Sequence, residues 1–143
     1  MSTAVGTERR TLSLRLLTPE GPVFDGAAYM VIAPSIQGEV GILPRHAAFI
    51  AQLRVGDVRV TLPDDTKQVF ATTTGFISVE DDNVLVLVEQ AELASDIDVP
   101  RAQAALQRAE QGIAEAGDDA LARTTAEGAL RRAQNRLRVA EGQ

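Results

Sequence analysis

The sequence predicts a β + α protein: an N-terminal antiparallel β-sandwich or barrel of short strands, followed by a C-terminal antiparallel α-helical hairpin. Three observations carry this expectation. Through the first ninety residues apolar and polar side chains alternate with a period of two, as in Leu12, Leu14 and Leu16 around Ser13 and Arg15, and in Val58, Val60 and Leu62 around Arg59 and Thr61. Turn-forming clusters separate these runs at the spacing of short antiparallel strands. From Ser95 the period lengthens to 3.6, with one stripe of Ala102, Ala105, Leu106, Ala109 and Ile113 and a second of Ala122, Ala126, Ala129, Ala133, Leu137 and Ala140.

The elements follow in order. Residues 1–10 are polar, lack the apolar segment of a secretory signal and are expected to form a flexible extension. Residues 11–94 hold the strand patterns, punctuated by Pro19-Glu20-Gly21-Pro22, Asp25-Gly26, Pro63-Asp64-Asp65 and Glu80-Asp81-Asp82-Asn83. All five aromatic residues (Phe24, Tyr29, Phe49, Phe70, Phe76) fall here, where a compact core would use them. Val84-Leu85-Val86-Leu87-Val88 breaks the alternation, so both its faces need cover, one from the sandwich and one from elsewhere in the chain or from a partner. Residues 95–143 form the hairpin, with Asp98 as an N-cap, Pro100 in the first turn, and Gly117-Asp118-Asp119 as a stop followed by a new cap.

The hairpin's stripe is mostly alanine. A buried methyl is worth roughly 0.8 kcal/mol against about 1.5–3 kcal/mol for a leucine or isoleucine. Gly112 and Gly128 each cost a helix interior about 1 kcal/mol. Weak docking is expected, as for an element with more than one resting place.

Composition excludes several classes. The 143 residues suit one domain with a small appendage, and 45% hydrophobic residues suffice for a core. No apolar run approaches the ~20 residues of a membrane span. Cysteine is absent, which removes disulfides and thiolate metal sites and fits a reducing compartment. The expectation is a soluble intracellular protein. A net charge of −6 argues against nucleic-acid binding. Residues 1–94 hold 12 acidic and 7 basic side chains and residues 95–143 hold 8 and 7, with Arg131, Arg132, Arg136 and Arg138 clustered near the end. Such a cluster suits an anionic partner, although by composition alone a solvated helix face is the simpler account.

Catalytic signatures are missing. There is no phosphate-binding loop ending in Gly-Lys-Ser/Thr and no His-Glu-x-x-His or calcium-loop spacing, and His46 is the single histidine. The pairs Asp64/Asp65 and Asp81/Asp82 sit in expected turns. No catalytic residue and no metal site is assigned, and no cofactor is required.

The stretch Gly38-Glu39-Val40-Gly41-Ile42-Leu43-Pro44-Arg45-His46-Ala47 resembles a signature of the epsilon subunit of bacterial F-type ATP synthases. Thr18–Val23, Gly75-Phe76-Ile77-Ser78-Val79, Ile97-Asp98-Val99-Pro100-Arg101-Ala102 and Asn135–Glu141 agree with it in order and spacing, so the resemblance covers about residues 11–141. It implies a sandwich of about ten strands that binds the gamma subunit and the c-ring, with Gly38, Glu39, Gly41, Pro44 and His46 in the partner-facing part. It also implies a non-catalytic rotor-stalk subunit on the cytoplasmic face of the cell membrane, peripheral and membrane-associated only through the complex. In the extended form the hairpin would inhibit ATP hydrolysis, with Arg131, Arg132, Arg136 and Arg138 against an acidic loop of the alpha/beta hexamer; in the compact form it would roof Val84–Val88.

Some bacterial members bind ATP on the compact hairpin, and the resemblance carries that site onto Glu92, Ile97, Asp98, Arg101, Ala102, Arg108, Arg132 and Arg136. ATP is thus the implied regulatory ligand. Arg101 and Arg108 are seven apart on one helical face and Arg132 and Arg136 four apart on another, so antiparallel packing can bring the pairs to one triphosphate. Ala102 is small enough to leave room for a base or ribose. Three positions depart from the pattern: Pro100 replaces a helix former, Arg45 stands where glycine is common, and Thr74 replaces the first of a frequent glycine pair. A stand-alone ATP-sensing module is the competing reading.

Overall fold

The computed structural model describes residues 9–142. Of the N-terminal extension, residues 1–8 lie outside the described residues, as does Gln143. Arg9 and Arg10, also assigned to that extension, are tied down. Arg9 bonds Asp65 at 2.7 Å and lies 3.8 Å over the Tyr29 ring, and Arg10 bonds Asp82 at 2.6 Å.

Ten strands follow: β1 (Leu12–Thr18), β2 (Gly21–Ala28), β3 (Met30–Ser35), β4 (Gly38–Ile42), β5 (Phe49–Leu53), β6 (Gly56–Thr61), β7 (Lys67–Thr72), β8 (Gly75–Glu80), β9 (Asn83–Val88) and β10 (Ala91–Leu93). They pair in the order β10-β7-β6-β3-β5-β8-β9-β1-β2, with β4 added to β3, and fold over a single core as a sandwich. The alternation read from the sequence is the burial pattern of β1, where Leu12, Leu14 and Leu16 point inward. They meet Val31, Ile42, Leu53, Val58, Val60, Ile77, Val84 and Val86, all fully buried. One pair departs from the antiparallel expectation: β1 runs parallel to β9, Leu14 opposite Val84 and Leu16 opposite Val86. These strands are joined by most of the sandwich rather than by a hairpin, so no tight turn forces them antiparallel.

Local turn chemistry is obeyed at three of the four expected sites. Asp81 and Asp82 both have positive φ (50° and 64°), as a two-residue hairpin with right-handed strand twist requires. Asp25-Gly26 is the exception. Both residues lie inside β2, opposite Arg15 and Leu14, because the ladder to β1 outweighs the local turn preference. Gly75 is needed for space: a Cβ there would stand 1.9 Å from the Leu87 carbonyl oxygen. Thr74, one residue earlier, is exposed and accommodates a side chain. Arg45 has φ 70°, the left-handed region that favours glycine, and Asp82 Oδ1 accepts its backbone N–H at 2.6 Å.

After β10 a 3-10 turn (Ala94–Asp96) leads into α1 (Val99–Ala116) and α2 (Ala120–Ala140). The Asp98 side chain accepts from the Arg101 N–H and that of Asp119 from the Ala122 N–H, and Gly117 ends α1 with φ 56°. Gly112 brings the helices together: its Cβ would meet the Ala126 methyl at 3.2 Å. Ala102, Ala109 and Ala133 are buried, whereas Ala122 and Leu121 are exposed, so the hairpin's stripe is sealed only towards the sandwich end.

The hairpin does not roof Val84–Val88. It lies over β6, β7 and the 3-10 turn, with α2 as the contacting helix. The short link from β10 holds it beside β7, the partner strand of β10, and Ile97 plugs the joint with Ala71 and Val139. On β9, Val84, Val86 and Val88 fill the core, Leu85 is half-buried and Leu87 remains 45% exposed. Phe76 and Leu87 are cross-strand neighbours, Leu17 pairs with Leu87 from β1, and Ile50 lies on β5 beside them. Ile50 is 73% and Phe76 53% exposed, so this outer face carries uncovered apolar side chains, with Gln52 and Ser78 among them.

Candidate functional site between the sandwich and the helices

Where α2 crosses the sandwich, polar contacts replace apolar ones. Asn135 is buried in the C-terminal half of α2, and its Nδ2 donates to the Gly56 carbonyl at 2.7 Å. Arg138, one turn further, donates to Asn135 Oδ1 at 2.8 Å and to Asp57 Oδ1 at 2.9 Å. The Asp57 side chain is only 10% exposed and also takes Arg59 Nη1 at 3.4 Å. Arg59 continues to Glu39 Oε1 at 2.9 Å, and the Glu39 carboxylate is the main cause that raises the Arg59 guanidinium above its ordinary value. A chain of charges thus runs from α2 through β6 to β4.

On the β10 side, Arg136 meets Glu92 through two parallel bonds, Nε to Oε1 at 2.8 Å and Nη2 to Oε2 at 3.2 Å. This fork geometry is what arginine offers a carboxylate or a phosphate. Beside the pair lies a cavity of about 680 Å³, bounded by the β1–β2 turn, β7, the β9–β10 turn and both helices. Arg101 of α1 and Arg132 and Arg136 of α2 line it together with Glu92. Arg101 and Arg132 make no ion pair among the described residues. The volume lies within the range of small-ligand pockets.

Of the eight residues carried over for ATP, four therefore meet at one cavity: Glu92, Arg101, Arg132 and Arg136. The other four do not line it. Ile97 is buried in the joint, Asp98 caps α1, Ala102 is fully buried, and Arg108 is exposed further along α1. The cavity is thus not opened by the Ala102 methyl, and Arg108 does not join Arg101 at it. Of the four arginines assigned to an inhibitory contact, Arg131 and Arg132 are exposed, while Arg136 and Arg138 are engaged by Glu92 and Asp57.

The partner-facing residues Gly38, Glu39 and Gly41 lie exposed on β4, an added strand paired with β3. Pro44 and His46 are half-buried in the following loop, where the His46 ring packs edge-on to Phe49 at 5.7 Å and its Nδ1 lies 2.7 Å from the Ala47 carbonyl oxygen. Sequence reasoning missed Asp57, Asn135 and Arg59. An asparagine amid a run of arginines in a helix interior, where it is a poor helix former, was the available signal.

Comparison with known proteins accords with this architecture. The beta-sandwich domain of the ATP synthase delta/epsilon chain matches residues 11–94, and the long alpha-helix domain of the same chain matches residues 95–141. The ATP synthase epsilon chain of Halalkalibacterium halodurans is 45% identical over 130 residues, 91% of this chain and 97% of that one. That of Syntrophobacter fumaroxidans is 42% identical over 91% and 96% respectively. A chain in the Euglena gracilis mitochondrial ATP synthase, in an assembly of OSCP, F1 and c-ring, shares the fold with a TM-score of 0.78 at 22% identity, covering 91% of this chain and 81% of that chain. With both domains matched in order over almost its whole length, this chain belongs to the ATP synthase delta/epsilon family, on the side of its epsilon chains, which are non-catalytic stalk subunits.

Proposed function

We propose that this chain regulates a rotary ATP synthase from the central stalk, with the sandwich as its anchor and the hairpin as its moving part. The sandwich carries two surfaces suited to partners. The uncovered apolar face of Ile50, Phe76 and Leu87 fits the gamma subunit, and the exposed strand β4 with its loop to His46 fits the c-ring. Membrane association then comes through the complex, on the cytoplasmic face; among the described residues no helix is long and apolar enough to cross a membrane.

The docked hairpin binds ATP and is held down by it. The observation that carries this reading is the 680 Å³ cavity, reached by arginines from both helices, two of them without acidic partners among the described residues. A triphosphate there would bridge α1 to α2 and stabilise the docked form by RT ln(1 + [L]/Kd). With ATP absent, the hairpin leaves, Arg136 and Arg138 give up Glu92 and Asp57, and the basic cluster meets acidic groups of the catalytic hexamer instead, inhibiting hydrolysis. The same arginines serve both states, which makes the states mutually exclusive.

Calorimetric titration of the chain with MgATP tests the ligand. Saturable binding is expected, weakened at least about tenfold by Arg101→Gln with Arg132→Gln. No heat of binding in the wild-type chain, or equal affinity in the double variant, overturns the reading. Removing residues 95–143 should raise ATP hydrolysis by the assembled enzyme at low ATP, and unchanged hydrolysis would rule out the inhibitory role.

A further inference from the structure

A second opening, of about 640 Å³, adjoins the first around α2. It shares Val55, Thr73, Glu89, Gln90 and Arg132 with the first and adds Arg54, from the β5–β6 turn, and Arg131. Two guanidinium groups converge there on the bare backbone of Gly128. A Cβ on Gly128 would stand 3.3 Å from Arg132 Nη1 and 3.9 Å from Arg131 Nη2, so the two arginine tips lie close to one point. Arg54 Nη1 donates only to the neighbouring Val55 carbonyl, at 3.3 Å. None of Arg54, Arg131 and Arg132 makes an ion pair among the described residues. Glu89 is the single carboxylate on the lining, and it leaves the opening with a surplus of two positive charges in a chain of net charge −6. Three arginines drawn from two separate elements, outnumbering the one carboxylate beside them, describe a site for a small, highly charged anion.

The geometry points to a phosphate-binding site between the sandwich and α2, beside the nucleotide cavity and sharing part of its wall, but built on Arg54 and Arg131, which that cavity lacks. Its ligand is a phosphate dianion, either inorganic phosphate or a phosphomonoester. Guanidinium forks from Arg131 and Arg132 hold it on one side and Arg54 on the other. Because Arg54 belongs to the sandwich and the other two to α2, the bound anion ties the hairpin to its docked position. The site does not depend on ATP occupying the larger cavity.

The test is titration of the intact chain with inorganic phosphate at constant ionic strength, read by calorimetry and by hydrogen exchange of the α2 amides. Saturable binding with slowed α2 exchange is expected. Arg54→Gln, at an exposed turn outside the nucleotide cavity, should weaken phosphate binding about tenfold and leave MgATP affinity unchanged. Gly128→Ala should weaken it as well by shifting the Arg132 tip, while raising thermal stability because glycine disfavours a helix interior. A site that loosens while the fold tightens separates binding from folding. Arg101→Gln should affect only the nucleotide. Ribose 5-phosphate serves as the second probe: binding with the same Arg54 dependence assigns the monoester class, and binding of phosphate alone assigns the free anion. A response that never saturates, wild-type behaviour in Arg54→Gln or Gly128→Ala, or loss of phosphate binding in Arg101→Gln would overturn the proposal.

Discussion

Inside the sandwich, Leu14, Leu16, Val31, Ile42, Ile77 and Val86 are wholly buried and interlock across strands distant in sequence. At the joint between sandwich and hairpin, the buried apolar set is Ala71, Ile97 and Val139, edged by Val69, Ala94 and Ala140. What the joint lacks in apolar volume it replaces with directed polar contacts: Asn135 on the Gly56 carbonyl, Arg138 on Asp57 and Arg136 on Glu92. The contrast teaches how one chain can combine a tightly packed part with a lightly docked one. Apolar burial is strong and costs much to undo, whereas hydrogen bonds and ion pairs are exchangeable, since water or another anion satisfies the same groups after separation.

The comparison breaks most severely at Gly75. Gly75→Ala places a methyl against the Leu87 carbonyl between the paired strands β8 and β9, and the sandwich should lose more than about 3 kcal/mol. A melting temperature within a few degrees of wild type would show that the strands yield more easily than described.

Asp57→Ala attacks the joint alone. It leaves Arg138 without its sandwich carboxylate and should weaken docking by roughly 1–3 kcal/mol. Amide exchange should quicken in α2 and the protection of β1, β8 and β9 should stay unchanged. Equal acceleration in both regions would mean that they unfold as one unit. Glu92→Gln offers a calibrated comparison. The Arg136 pair is about one-quarter and one-third exposed on its two sides, so its loss should cost less than about 1 kcal/mol.

The smallest effect concerns acid. The Arg45 N–H, and after it the Arg10 side chain, hold the Asp82 carboxyl below the usual carboxylate range. A depressed folded-state value stabilises the fold above the unfolded value, and this contribution disappears as pH falls through the folded value. Asp82→Asn should therefore flatten the decline of melting temperature between about pH 5 and about pH 2. An acid limb as steep as wild type would assign that decline to other carboxylates.

Much of the fold was legible because its causes are local. Leu12-Leu14-Leu16 shows its buried face by alternation, and Asp98 and Asp119 mark the helix starts as acceptors for free N–H groups. Arg45 reads as a departure from glycine, and its left-handed backbone gives the reason glycine suits that position. What local pattern could not supply was placement. Val84–Val88 suggested a strand covered on both faces, but where the hairpin lands depended on the link from β10, and it went to β6 and β7, leaving Leu87 exposed. The same limit applies to the candidate site. Arg101, Arg132, Arg136 and Glu92 converge because of how two helices land on a sheet, and Asp57, with Gly56 just before it, looks like any charged residue at a strand edge until Asn135 and Arg138 arrive opposite.

The make-up of that joint also decides what the sandwich would present if the helices departed as proposed. The vacated ground offers a valine, two small alanines, a backbone carbonyl and two carboxylates: Val69, Ala71, Ala94, Gly56, Asp57 and Glu92. Water wets such ground readily, and it lacks the broad oily area on which stray chains gather. A lever that swung out as proposed would therefore return without having exposed an adhesive scar, as repeated switching would require.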